Sequence, residues 1–307
     1  MEDISNEKRS SIGIWFQAVR AFSFTASAVP VLLGAALAAF YPGKVMWGLL
    51  PVVFVASVLF HAATNLVSDY FDYKKEVDKD YTFGSSGVIT AGLLPPGKIL
   101  YGGLILFCIA CILGLILIAF RGLPILYIGL AGLVGGYFYT GRPLGYKYVG
   151  LGDFLVFILM GPLMVIGSYF SLTGSYRSNI FFVSLPVGFL VAAILQANNV
   201  RDIKHDTEAG IKTLENMVGE KRAKFAYYFS VSAAYLSVAI MVIIRILPIW
   251  SLAIIVTFPL ALKIMKKLAK SQPDRPEEIA AADVETAQLH LGFGVILIVS
   301  LLVHLFV

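Results

Sequence analysis

Charge is what this 307-residue sequence has least of: Asp, Glu, Lys and Arg together make up 14%, against about 25% in an ordinary soluble chain. A soluble molecule of this size cannot cover its surface with so few ionised groups. Cysteine is almost absent. Cys108 and Cys111 are the only two, and they stand in an unbroken apolar run, with neither water nor the positive charge that stabilises a thiolate. A secreted disulfide scaffold and a redox C-x-x-C are therefore excluded, and two small core residues are expected. What the chain has in abundance is apolar: 58% as counted with Tyr, and about 62% once its 15 Tyr are exchanged for its 28 Gly, against roughly 45–50% in soluble domains. Disorder and collagen are excluded with it, and an integral membrane protein is expected. The net charge of +5 is read as membrane orientation, with no nucleic-acid partner. Residues 1–13 form a polar N-terminal segment in which no small-residue cleavage site follows a short apolar stretch, so no removable leader is expected.

A spanning helix needs about 20 mostly apolar residues. Cut where charge, Pro and Gly cluster, the chain offers nine such runs, at about 14–40, 45–72, 98–120, 123–140, 151–173, 179–199, 223–246, 249–267 and 289–307. The expected fold class is all-α: a polytopic membrane protein forming one transmembrane domain over 14–307, with pseudo-repeat halves at about 14–140 and 151–267 and a ninth helix. If the N-terminus lies on one side, that side receives Lys8, Arg9, Lys74, Lys75, Lys79, Arg142, Lys147 and the cations of 201–222 and 266–275. The other receives only Lys44, Arg121, Arg177 and Arg245. The richer side is expected to be cytoplasmic, with the C-terminus outside. It also holds every long loop, at 74–97, 141–150, 200–222 and 268–288, and loops of that length usually carry function.

The second run ends in Asn65-Leu66-Val67-Ser68-Asp69-Tyr70-Phe71-Asp72, with Asp78 beyond it. Asn65, Asp69 and Asp72 share one helical face, with neighbours about 5–6 Å apart. The sixth run ends in Asn198-Asn199-Val200-Arg201-Asp202-Ile203-Lys204-His205-Asp206, in which Asn198, Asp202 and Asp206 repeat the pattern. Acids at a helix C-terminus oppose the macrodipole, and stacked carboxylates repel at a poorly screened boundary. One such motif would pass as a solvated cap, whereas two at the same membrane face call for cations between them. Hard oxygen ligands at this spacing suit Mg²⁺, which favours one or two carboxylates plus substrate phosphates. Arg201, Lys204 and Lys212 are within reach of a diphosphate, Arg as a planar fork and Lys as a point charge. The cytoplasmic cation bias explains Lys221 and Arg222 in full and explains Arg201 and Lys212 equally well. His61, one turn before Asn65, is read as a packing histidine, with a proton or metal role as the alternative.

These residues resemble the two aspartate-rich signatures of the UbiA superfamily of intramembrane prenyltransferases. The first is carried by Ser68-Asp69-Tyr70-Phe71-Asp72 with Asp78, the second by Asn199 to Asp206 with Gly210-Ile211-Lys212-Thr213-Leu214. The MenA-like branch is the nearest, because Tyr139-Thr140-Gly141-Arg142-Pro143-Leu144-Gly145-Tyr146-Lys147-Tyr148-Val149-Gly150-Leu151-Gly152-Asp153 is similar to its loop between the fourth and fifth helices. The likeness runs from about residue 20 to about residue 224. It implies a nine-helix bundle around a central cavity, with the motifs facing each other beneath a cytoplasmic cap in a prokaryotic cell membrane. It further implies that a polyprenyl diphosphate is bound through Mg²⁺, two ions in all, and ionised, and that an electron-rich aromatic acceptor attacks the allylic cation.

By position, Asp69, Asp72, Asp202 and Asp206 fall on catalytic carboxylates. Asn65, Ser68, Asp78 and Asn198 complete the candidate metal set. Arg142, Lys147, Arg201, Lys204 and Lys212 fall on the diphosphate, and Tyr139 faces the cation. Two departures stand out: Ser68 where the family usually has Asn, and Gly87 where many MenA-like sequences have Arg. The acceptor expected of that branch is 1,4-dihydroxy-2-naphthoate, in menaquinone biosynthesis; 4-hydroxybenzoate, an ether lipid, haem and chlorophyllide are the alternatives. A cation-coupled transporter is the competing class, though transporters usually place ionisable residues near the bilayer midplane.

Overall fold

Inside a bilayer only an internally hydrogen-bonded helix satisfies every backbone group, and the apolar runs of this chain fold accordingly. The computed structural model describes residues 10–79 and 82–306, so the N-terminal segment through residue 9, with Lys8 and Arg9, lies outside the described residues. The helices are α1 (Ser11–Ala18), α2 (Thr25–Phe40), α3 (Leu50–Lys74), α4 (Pro96–Arg121), α5 (Leu123–Tyr137), α6 (Gly152–Ile158), α7 (Met164–Thr173), α8 (Ser178–Glu208), α9 (Leu214–Val218), α10 (Glu220–Ile243), α11 (Phe258–Lys270) and α12 (Ala282–Val303). Pro51, Pro96, Pro124 and Pro259 stand in the first turn of α3, α4, α5 and α11, where a missing N–H leaves nothing unsatisfied. A π-turn at Leu159–Leu163 joins α6 to α7 and contains Pro162; the widened turn accommodates a residue that cannot donate to the preceding one.

Among the described residues eight helical segments, not the expected nine, are long and apolar enough to cross a membrane. The exception is α5, 15 residues long, which at 1.5 Å per residue covers about 22 Å of a hydrocarbon core about 30 Å thick. Its apolar run continues to Thr140, but the helix stops at Tyr137 because the chain turns there to carry the 138–151 loop back over the bundle end. α4 ends at Arg121, whose guanidinium donates to the Ser171 and Leu172 carbonyls at the end of α7 at 2.7 and 2.6 Å. The return through α5 brings Tyr137 edge-on to Phe71 near the end of α3, ring centroids 6.4 Å apart. The expected first span, 14–40, is also two pieces. Arg20 takes a left-handed conformation at φ 54°, so α1 is a separate helix and the spanning segment begins at Ala21.

The core is assembled around α2 and α8, which pack with α7, α10 and α12. Leu33, Leu37, Leu172, Leu190 and Phe293 are fully buried there. Small residues allow the close approaches: a Cβ on Gly161 would lie 2.5 Å from the Gly188 Cα of α8. The aspartate end carries its own small clusters. Ala18 of α1 packs with Leu66, Val88, Ile89 and Ile99, while Val77, Tyr148 and Ile211 join three of the long loops. A backbone bridge between Val149 and Lys212 ties two of those loops together.

Candidate active site

The last turns of α3 bury Ser68, Asp69 and Asp72, and those of α8 bury Asn199, Arg201, Asp202 and Asp206. So many buried polar groups persist only when paired. Arg20 forms an ion pair with Asp69, and Ser86 donates to Asp69 through its backbone N–H and its hydroxyl. Asp72 accepts from Lys147 Nζ at 2.8 Å, from the Tyr148 hydroxyl at 2.8 Å and from the Ser68 hydroxyl at 3.0 Å. On α8, Arg201 grips Asp202 with two donors at 2.9 and 2.8 Å and reaches Asp283 of α12 at 3.1 Å. Asn198 completes this group, with Oδ1 accepting from Arg201 at 2.9 Å and its amide nitrogen donating to Asp202 at 3.3 Å.

Two observations bring these groups face to face. Lys147 lies within the electrostatic reach of Asp72, Asp78 and Asp206 together, so one ammonium serves both helix ends. The loop after α3 crosses from one motif to the other: Ser86 bonds Asp69, a Cβ on Gly84 would lie 3.1 Å from Asp202 Oδ2, and the Phe83 ring is 5.6 Å from the Arg201 guanidinium. Gly87 follows in the same loop with φ +71°, a conformation natural to glycine at the position where the sequence departs from Arg. Burial, then Asp72, pushes the Asp78 carboxyl up to about 8. Burial alone would discharge Lys147; Asp72, Tyr139, Asp206 and Asp78 outweigh it and raise its pKa.

A cavity of about 520 Å³ begins at this face. Arg20, Ser68, Tyr139, Lys147, Asn198 and Asp283 line its polar end, and Leu115, Ile118, Leu130, Met164 and Val191 its apolar depth. Among the described residues the carboxylates Asp69, Asp72, Asp78, Asp202, Asp206 and Asp283 outnumber Arg20, Lys147 and Arg201, which form ion pairs with Asp69, Asp72, Asp202 and Asp283. Among the described residues no three Asp, Glu, His or Cys side chains converge closely enough to hold a metal by themselves. That donor set, carboxylates in excess but in pairs, fits a Mg²⁺ ion that keeps waters and takes remaining ligands from a substrate phosphate.

The expected site residues are not all gathered. Asp69, Asp72, Asp78, Lys147, Asn198, Arg201, Asp202, Asp206, Ser68 and Tyr139 belong to the facing groups and the cavity mouth. Asn65 lines the cavity, but its amide donates to the Val19 carbonyl at 2.9 Å and the Ser23 hydroxyl at 3.2 Å, turned toward the α1–α2 junction. Lys204 is exposed and paired with Asp274 at 2.9 Å. Arg142 and Lys212 are exposed on the loops. Three partnerships are not evident in the sequence motifs. Arg20 is legible as a lone arginine in an apolar run, functional by default. Tyr148 stands in the loop that resembles the MenA-like branch and Asp283 carries no signal at all, and nothing in either neighbourhood shows that they meet Asp72 and Arg201.

The model of the UbiA prenyltransferase family matches residues 27–303. The chain is 34% identical over 300 residues to the 1,4-dihydroxy-2-naphthoate octaprenyltransferase of Bacillus subtilis (strain 168), covering 98% of this chain and 96% of the relative. It is 32% identical to the human UbiA prenyltransferase domain-containing protein 1, covering 93% and 82%. Among solved structures it is similar to the apo UbiA homolog of Aeropyrum pernix K1, with TM-score 0.66, 15% identity and coverage of 92% and 98%. The Archaeoglobus fulgidus UbiA homolog bound to GPP and Mg²⁺ matches with TM-score 0.63, 15% identity and coverage of 93% and 99%.

Proposed function

The chain belongs to the UbiA prenyltransferase family, and from that premise we propose that it transfers a polyprenyl group from its diphosphate to 1,4-dihydroxy-2-naphthoate, releasing diphosphate and carbon dioxide. It is an integral membrane prenyltransferase. The observation that carries the reading is the pair of facing carboxylate groups at the mouth of an apolar cavity. The acceptor follows the Bacillus subtilis relative, which spans almost the same length.

Asp69 and Asp72 from α3 and Asp202 and Asp206 from α8 would hold Mg²⁺, with Asp78 and Ser68 beside them. When bound, the metal supplies the positive charge that stabilises the departing diphosphate. Lys147 and Arg20 draw the diphosphate to the mouth and fix its leaving oxygen. Arg201 holds Asp202 in place, and its pairing with Asp283 offsets the cost of burying that charge. Tyr139, half-buried beside Lys147 and lining the cavity, presents an aromatic face to the developing allylic cation. The apolar walls exclude the water that would quench it.

The decisive assay gives purified protein Mg²⁺, geranylgeranyl diphosphate and a panel of acceptors, with products read by mass spectrometry. The expected product is the prenylated naphthoquinol with the carboxylate lost. Prenylation of 4-hydroxybenzoate or of an ether lipid, with the naphthoate untouched, would replace the acceptor and keep the reaction class.

The hydrogen bonds separate Ser68 from Asn65. Ser68→Ala removes the hydroxyl that holds the Asp72 carboxylate in place and is expected to raise the Mg²⁺ concentration for half-maximal rate several-fold, whereas Asn65→Ala leaves it unchanged. The reverse result would put Asn65 on the metal side. For orientation, we place the aspartate end in the cytoplasm and Arg177 outside, following the lysine and arginine bias. Cysteines introduced at 212 and 275 should label only from the cytoplasmic side of sealed vesicles, and one at 177 only from the other. Cytoplasmic labelling at 177 would reverse the orientation.

A further inference from the structure

The wall of the cavity is apolar on α4 and α5, α7 adds Ser168 and Ser171 and α8 adds Asn198, and α3 lays the longest polar strip down it. Ser57, His61, Thr64, Asn65 and Ser68 all line the space and recur at helical spacing on one face. A prenyl chain has no group that can hydrogen-bond to such a strip, and polar side chains at membrane depth are costly unless used. Thr64 satisfies itself on the Phe60 carbonyl at 2.9 Å. His61 does not turn inward on its own helix.

The network around His61 fixes its tautomer. The Ser23 hydroxyl donates to the Arg20 carbonyl at 2.8 Å, so it can only accept from the His61 Nε2 that lies 3.2 Å away. Nε2 therefore carries the proton, and Nδ1 accepts from the fully buried Ser27 hydroxyl at 2.9 Å. The ring is further held edge-on to Phe24, centroids 5.6 Å apart. Both hydrogens of the Asn65 amide are committed, to Val19 and Ser23, which leaves its Oδ1 to accept. Asn65 Oδ1 is thus left as an acceptor, and the His61 Nε2–H, held by Ser23, becomes a donor once that contact is released; the two residues line the cavity a helical turn apart, about 5–6 Å between Cβ atoms. They lie one and two turns below Asp69, about 6 and 12 Å along the axis. That depth is too great for the diphosphate and right for a ring lying beneath the allylic carbon.

We propose that His61 and Asn65 form the acceptor subsite, which takes a hydroxylated aromatic acid: His61 Nε2–H donates to a ring oxygen and Asn65 Oδ1 accepts from a ring hydroxyl. The proposal rests on the prenyl-transfer reading and adds where, and by which atoms, the aromatic substrate is oriented. The long Nε2 contact to Ser23 is the bond the ligand takes over, while Ser27 keeps the ring in place.

The test measures KM for both substrates, and, separately, thermal stabilisation of detergent-purified protein by 1-hydroxy-2-naphthoate without any prenyl donor. In His61→Phe the acceptor KM is expected to rise at least tenfold, the donor KM to stay within twofold, and naphthoate stabilisation to vanish. His61→Gln, whose amide reaches the same place, should recover most of the acceptor affinity. His61→Asn keeps polarity for folding but falls short and should behave like Phe, which covers the case in which Phe does not fold. A parallel rise in donor KM, an unchanged acceptor KM, or a wild type that naphthoate fails to stabilise would overturn the subsite. Naphthoate binding that depends on His61, with no prenylation of 1,4-dihydroxy-2-naphthoate, would instead overturn the proposed acceptor chemistry and leave the subsite standing.

Discussion

Replacing Asp72 by Asn or Ala is expected to lower turnover at least a hundredfold while the protein stays folded in detergent. Asp72 is 1% exposed and is the point where Lys147, Tyr148 and Ser68 converge. Asn occupies nearly the same volume, and its one oxygen still accepts on one side, from Tyr148 or from Ser68 and Lys147, so the change removes the charge and one acceptor with little change in packing. Losing one preorganised electrostatic contact in a site of this kind costs about 10²–10³ in rate. Asp202 is the counterpart on α8, and Asp202→Asn should fall by a similar factor, because Arg201 retains Asp283 and the fold is not left with an unpaired cation. Rates near wild type in either Asn variant would remove that carboxylate from the site. Circular dichroism and the detergent melting temperature separate loss of chemistry from loss of structure.

Excess chelator is expected to abolish turnover completely, and added Mg²⁺ to restore it. The carboxylates of the two helix ends outnumber Arg20, Lys147 and Arg201, and a diphosphate brought among them adds further negative charge. With no compensating cation the substrate would be repelled from the apolar mouth, where screening is weakest. Burial, then Asp72, already holds the Asp78 carboxyl up at about 8, which is how a buried acid responds when the charge around it is mostly negative. Undiminished turnover in chelator would refute the metal-dependent mechanism. Restoration by Mg²⁺ but not by Ca²⁺ would support the small, partly hydrated ion that paired carboxylates favour.

Helix feet are easier to read than helix lengths. The recurrence of Asn, Asp and Asp at helical spacing places Asp69, Asp72, Asp202 and Asp206 on two faces, because an α-helix has one period and these residues follow it. Length fails at α5, where an apolar run from Leu123 to Thr140 reads as a span. Hydropathy reports what a segment tolerates, not where its chain turns, and here the 138–151 loop takes the last residues for Lys147 and Tyr148. The break at Arg20 is hidden for the same reason: a single residue in the left-handed region interrupts a helix without changing its composition.

Membrane residence, the clustering of acids at one face and the need of those acids for cations were all written in the order of the residues. Scarce charge, long apolar runs and i, i+4 spacing are local properties, and each has one physical meaning. Which cation meets which acid came from the packed bundle alone: Arg20 with Asp69, Lys147 with Asp72, and Arg201 with both Asp202 and Asp283. So did the outward placing of Arg142, Lys204 and Lys212 and the presence of His61 in the cavity wall. Partners as far apart along the chain as Lys147 and Asp72, or Arg201 and Asp283, share no periodicity, and their meeting is fixed by how helices pack. In a bilayer that packing is chosen by shape and by the need to pair every buried polar group.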